Sequence, residues 1–251
     1  MIRRRVSAVV RLWDGFLGQA VEGAQVQCQI DGMMYKPICK PGGYLVWTDL
    51  ANGTHTLSIT LAGFEPQTLI FSTSSHDFFN GCMVLKPDRT RYPVRGMVTQ
   101  LDLCLQVNDK PLAQEKFWLC ISNSPMMKIA QDIATAGSDT VRLFCNCRAA
   151  ALALPMPFLL DASQNPELVL LCTWDGQTGR LQTPLVHSHR RGSTLFVAQQ
   201  YQTDEQGKAC IWLREPGHVL VYQNEWVYAL TLIQGQNTCT LDVSLRAERK
   251  D

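Results

Sequence analysis

With 251 residues, 46% of them apolar, the chain has enough hydrophobic surface for one large domain or several small ones. Its 23 basic and 22 acidic residues leave a net charge of +1, which provides no field for holding nucleic acid or an anionic membrane. No window reaches the roughly 18 apolar residues of a transmembrane helix, and the most apolar run, 149–160, is cut by Pro155 and Pro157.

The basic start, Arg3-Arg4-Arg5, runs straight into Val6 to Trp13, a strand-like stretch broken by Arg11, rather than into a signal-peptide core. Synthesis and folding in a cytoplasm are therefore expected. Asp14 to Gly18 is a turn cluster. Ala24 to Ile30 alternates, with Val26, Cys28 and Ile30 on one face and glutamines on the other, and Asp31-Gly32 marks a hairpin into Met33 to Ile38. The next device, Gly42 to Ile59, reads as strand, turn, strand: Tyr44 and Val46 alternate before Asn52-Gly53, and His55, Leu57 and Ile59 alternate after it. Gly63 to Pro66 turns the chain again before Thr68 to Phe71. Short strands with such frequent turns predict a β-sandwich ending near Lys86-Pro87-Asp88.

The pattern Val21-Glu22-Gly23-Ala24-Gln25-Val26, Gly43-Tyr44 with Val46 and Leu50, Gly53 with Leu57 and Ile59, then Gly63-Phe64-Glu65-Pro66, resembles the carboxypeptidase regulatory-like (transthyretin-like) β-sandwich family. The resemblance spans roughly residues 5–86 and implies a non-catalytic seven-stranded accessory or adhesive module. His55 departs from it, since the family usually has an aromatic at that position.

A second copy is expected over 166–246. Gly207 and Gly217 repeat the spacing of Gly43 and Gly53, and Thr203-Asp204-Glu205-Gln206-Gly207 resembles the family's Thr-Asp-x-x-Gly turn. Trp174-Asp175-Gly176-x-x-Gly179 echoes Trp13-Asp14-Gly15-x-x-Gly18, and Trp226 to Ile233 stands for Phe64 to Phe71. In the middle, Val94–Val107, Lys116–Ser122 and Thr140–Cys147 alternate like strands, whereas Ser124–Ala136 reads as a short amphipathic helix or a loop. The expected fold is all-β: tandem antiparallel β-sandwiches of Ig-like or transthyretin-like type with a small β-rich middle unit. The expected domains are 1–88, 89–165 and 166–251. The alternative joins the middle to the second sandwich as one domain, 91–246.

The ten cysteines are scattered through apolar runs, so reduced thiols used as small hydrophobes are expected. Cys145-Asn146-Cys147 lacks the second pair that a zinc site requires. His187-Ser188-His189-Arg190-Arg191-Gly192 is the most reactive-looking motif, because His-x-His on a strand puts both rings on one face. No carboxylate lies within the ten residues before it and two arginines follow, which reads as a polar hairpin tip. Nucleophile elbows, phosphate loops and calcium loops are missing from the sequence. Asp14, Asp49, Asp175 and Asp204 sit in turns, where Asp caps backbone groups. The six tryptophans are expected first as core or domain-interface packing, since a large ring buries much area; for the alternative, a platform that stacks on a sugar ring, Trp47 beside Thr48 and Asp49 is the best placed.

These features predict a non-enzymatic structural or assembly protein with no cofactor or metal. It would act through contacts with other subunits in a multimer, with no nucleic acid and no membrane insertion. Phage-tail-like or contractile-injection particles (baseplate or tail accessories) are the expected setting. The alternative is a glycan- or ligand-binding accessory module. Ligand or interface candidates are Trp47, Asp49, His55, His187, His189, Arg190 and Arg191. A cleft in which His187, His189 and acidic groups converge would count against this reading.

Overall fold

The computed structural model describes residues 5–22, 25–94, 97–121, 126–145 and 154–243. Gly23 and Ala24 of the family pattern, the start at Ser124 of the segment expected as helix or loop, Asn146-Cys147 and most of the apolar run therefore lie outside the described residues. Among the described residues all regular structure is strand apart from a single 3₁₀ residue, Val243, and the chain divides into two compact units.

The first unit takes in the chain up to Pro93 and, from later in the sequence, Leu154 and Pro155. Its strands are β1 (Val6–Asp14), β2 (Gln19–Ala20), β3 (Gln27–Ile30), β4 (Met33–Met34), β5 (Ile38–Lys40), β6 (Tyr44–Thr48), β7 (Gly53–Thr60), β8 (Gln67–Thr73) and β9 (Phe79–Leu85). One sheet runs β2-β1-β6-β5 with β9 parallel to β1, and the other runs β4-β3-β7-β8. Alternate side chains meet between them: Ala8, Val10 and Leu12 from β1, Leu45 and Trp47 from β6, Leu57 and Ile59 from β7. Each fully buried Leu or Ile contributes about 1.5–3 kcal/mol, and the strict period of two makes this set possible.

In the second unit the strands are β10 (Thr99–Val107), β11 (Lys110–Pro111), β12 (Lys116–Ile121), β13 (Met126–Ile129), β14 (Ile133–Ala134), β15 (Thr140–Cys145), β16 (Met156–Leu160) and β17 (Glu167–Trp174). They continue as β18 (Thr178–Leu181), β19 (His189–Arg190), β20 (Thr194–Gln202), β21 (Lys208–Leu213), β22 (Gly217–Gln223), β23 (Trp226–Leu232) and β24 (Gly235–Asp242). Here β11-β10-β21, with β24 parallel to β10, faces β20-β12-β22-β23. Leu101, Leu103, Leu105, Phe117, Leu119, Ile211, Val219 and Val221 form the core.

The two units share one connectivity. Strand for strand, β1, β2, β3, β4, β6, β7, β8 and β9 correspond to β10, β11, β12, β20, β21, β22, β23 and β24. In the first unit β3 and β4 are joined by the tight turn Asp31-Gly32; in the second, residues 122–193 lie between their counterparts. The inserted strands extend the β12 sheet through β20, in the order β13-β15-β18-β17-β16-β20. They pack Leu159, Ala162 and Leu168 against Trp118, Leu220 and Tyr222 on the sheet's outer face.

The tandem sandwiches are thus present, but the expected boundary at 165/166 runs through the second unit. β10 pairs with β21 and β24, so strands before and after that boundary build one core. The joined alternative is the one this pairing follows. Where a short helix or a loop was expected over Ser124–Ala136, the described part, 126–136, carries β13 and β14, because Met127 and Ile129 alternate into the core on period two.

Candidate functional site

The sequence candidates do not assemble into one site. Trp47 is 1% exposed and belongs to the first core, which removes it as a sugar platform. Asp49 is exposed at a positive φ of 59° and clasps Arg5: its carboxylate Oδ1 accepts from the Arg5 amide at 3.0 Å and its own amide donates to the Arg5 carbonyl at 2.9 Å.

His55 is buried beneath the β3–β4 turn. Its Nδ1 donates to Asp31 Oδ2 at 2.7 Å and its Nε2 donates to the Ala51 carbonyl at 2.9 Å. A carbonyl and a carboxylate only accept, so the ring in this geometry is an imidazolium. The bond to Asp31 accordingly raises the His55 pKa and lowers that of Asp31. Asp31 Oδ1 also accepts from the Thr56 amide at 2.8 Å, and Thr73 Oγ1 donates to Ala51 O at 2.6 Å. The non-aromatic residue that departs from the family pattern is therefore a polar rivet between two hairpins.

His187 and His189 part company. The β19 strand covers only His189–Arg190, so the pair does not share a strand face. His187 is exposed. His189 is fully buried, its Nε2 2.7 Å from Glu167 Oε1 and its Nδ1 3.3 Å from Asp161 Oδ2. Ser193 Oγ donates to that same Asp161 oxygen at 3.2 Å, Ser163 Oγ to Oδ1 at 3.3 Å, and the Val186 amide to Glu167 Oε2 at 2.8 Å. Acidic groups thus do converge on His189, contrary to the hairpin-tip reading. The carboxylates come from 22 and 28 residues upstream, and strand pairing rather than local spacing brings them to the ring. Both imidazole nitrogens face carboxylate oxygens, so the ring ties β19 to β17 and to the turn after β16. Arg190 and Arg191 are exposed; Arg191 donates its amide to Asp132 O at 2.9 Å, and its guanidinium lies 3.7 Å from the Asp132 carboxylate.

Over this cluster lies a groove of about 640 Å³, within the size range of ligand sites. Pro166, Glu167 and His187 from the insertion form one wall, and Tyr222, Glu225 and Trp226 from the β22–β23 hairpin form the other. Burial first, then the charges of Glu225 and Glu167, raise the Tyr222 pKa. Sequence reading missed Asp161, Glu167 and Glu225; strand order alone brings them together. The described cysteines are free thiols, of which Cys28 and Cys120 are buried and Cys39 is exposed. Burial pushes the Cys120 thiol up to about 12, which keeps it an inert hydrophobe.

These features define a chain of two β-sandwiches, one carrying an inserted β subdomain. No family model and no curated protein matches it. Among solved structures, a streptococcal ancillary pilin is similar over 96% of this chain and 68% of its own, at 11% identity and a TM-score of 0.28. The Bacillus anthracis TIE protein is similar over 95% and 50%, at 8% identity and a TM-score of 0.27. The minor pilin of Streptococcus agalactiae is similar over 94% of both chains, at 11% identity and a TM-score of 0.23. At such scores these likenesses carry no argument, and the class rests on this chain's own strand pairing.

Proposed function

We propose that the chain is a non-enzymatic structural subunit that works through protein–protein contacts. The observation that supports this is the edge of the first sandwich. β4 ends one sheet and β5 ends the other, and the run that links them leaves Met33 69%, Met34 67%, Tyr35 38% and Ile38 41% exposed. The corresponding edge of the second unit, β20, pairs with the inserted strands β13 and β16. Contiguous exposed apolar side chains mark contact surfaces. Lys36, Pro37 and Lys40 within the run discourage unlimited strand addition, which favours side-chain docking.

Within this class the finer reading is an accessory subunit of a phage-tail-like or contractile-injection particle, since repeated sandwiches with an open edge suit packing against several neighbours. Membership of the carboxypeptidase regulatory-like family is proposed likewise. It is supported by Gly43, Gly53 and Gly63, which take φ values of 76°, 143° and 85° at the spacing of the pattern. A photo-crosslinking residue in place of Met34 is expected to give an adduct to a second polypeptide. Capture of solvent alone, at concentrations where a control residue on the exposed Gly137 turn behaves identically, contradicts the proposal.

A further inference from the structure

We infer that the groove of the second unit receives the Met33–Lys40 edge of another copy of this chain; the step rests on the contact role proposed above. Glu225 is exposed in the groove lining together with Tyr222 and Trp226, and among the described residues that lining includes neither Lys nor Arg; Glu167, also in the lining, is buried and already bonded to His189 and the Val186 amide. Aromatic residues beside an exposed carboxylate form a receptor for an organic cation, which gains from both the ring quadrupole and the negative charge. The edge supplies that chemistry: Lys36 and Lys40 are exposed among Met33, Met34, Tyr35 and Ile38, so an ammonium group arrives together with apolar surface.

The receptor is held in place before binding. Asn224 and Glu225 take φ values of 47° and 68°, and Gln223 pairs with Trp226, which makes a two-residue hairpin turn with Glu225 at its tip. Across the groove the Glu167 carboxylate is fixed by the Val186 amide and His189. The wall it belongs to exists only because of the insertion; in the first unit, β3 turns directly into β4. Groove and edge are therefore different surfaces on different units, and pairing them between copies is heterologous. Each copy added leaves one groove and one edge open, so the product is a ring or a filament.

Sedimentation velocity on the full chain tests this with charge reversal. Glu225→Lys alone, and Lys36→Glu/Lys40→Glu alone, are each expected to associate at least about tenfold more weakly than the parent, because each sets like charges face to face. Mixing the two variants restores association, since each supplies the complement the other lacks. Parent-like association of Glu225→Lys, or a mixture that stays monomeric, overturns the groove assignment. If Met33→Lys/Ile38→Lys abolishes association while Glu225→Lys does not, the edge contact stands and its receptor lies elsewhere. A parent chain that is monomeric throughout overturns both.

Discussion

Gly43 and Gly207 are the same residue in two copies of one sandwich. Gly43 O accepts from the Leu12 amide at 2.8 Å, and Gly207 O from the Leu105 amide at 2.9 Å. Both have positive φ, 76° and 73°, and a Cβ would meet the carbonyl oxygen of Leu12 at 2.7 Å or of Leu105 at 2.8 Å. Val21 and Leu112 then donate to those same oxygens at 3.1 and 2.9 Å, which seals the start of each sheet. Gly43→Ala and Gly207→Ala should each cost about 2–4 kcal/mol, combining backbone strain with a main-chain clash. Gly18, at φ 65° with open space around it, should cost only about 1–2 kcal/mol as Ala. Urea denaturation of the three variants checks the ranking, and equal losses would disprove it.

The His55–Asp31 pair predicts a pH dependence whose sign is fixed. Because the folded His55 pKa lies above its unfolded value, its stabilisation is complete below about pH 6.5 and is lost as pH rises through the folded pKa. Asp31 acts in the opposite sense: its depressed pKa gives stability above the ordinary Asp value, which is lost as pH falls through the folded one. The urea midpoint should therefore decline on the alkaline side of pH 6.5, and His55→Phe should flatten that decline. An unchanged profile in His55→Phe would show that another group sets it.

Removing His189 leaves Asp161 and Glu167 facing each other with too few donors. His189→Leu is expected to cost about 3–5 kcal/mol, the usual penalty for orphaning buried charge. Adding Asp161→Asn and Glu167→Gln should recover most of it, since the charge that needs a partner is then gone. Hydrogen exchange should place the loss in β14, β17 and β19. A mild phenotype of the single variant, or no recovery in the triple, would assign the cluster a role other than structural.

Local chemistry was more legible than topology. Asp14 Oδ1 accepts from the amides of Phe16 and Leu17 at 2.8 and 2.9 Å, and Asp175 Oδ1 does the same for Gln177 and Thr178 at 2.8 and 2.7 Å. The Trp-Asp-Gly echo thus repeats one Asp-capped turn, yet Trp13 lies near the end of the first strand of a sandwich and Trp174 ends a strand of the insertion. The glycine echo survives because Gly43 and Gly207 answer to a clash with a neighbouring strand, a demand that belongs to the fold. The insertion was hidden because β20 alternates as any strand does, and nothing in it names β12 as its partner. Trp47 illustrates the remaining ambiguity: a ring beside Thr48 and Asp49 reads as accessible, but its phase on β6 turns it inward with Leu45.

The contact role of the β4–β5 edge is most directly tested by light scattering across a concentration series of the full chain and of Met33→Lys/Ile38→Lys. We expect the parent's mass to rise above that of one chain with concentration, and the double variant to stay monomeric with an unchanged far-ultraviolet spectrum. A parent that remains a monomer throughout, or a double variant that associates just as strongly, would contradict the role assigned to that edge.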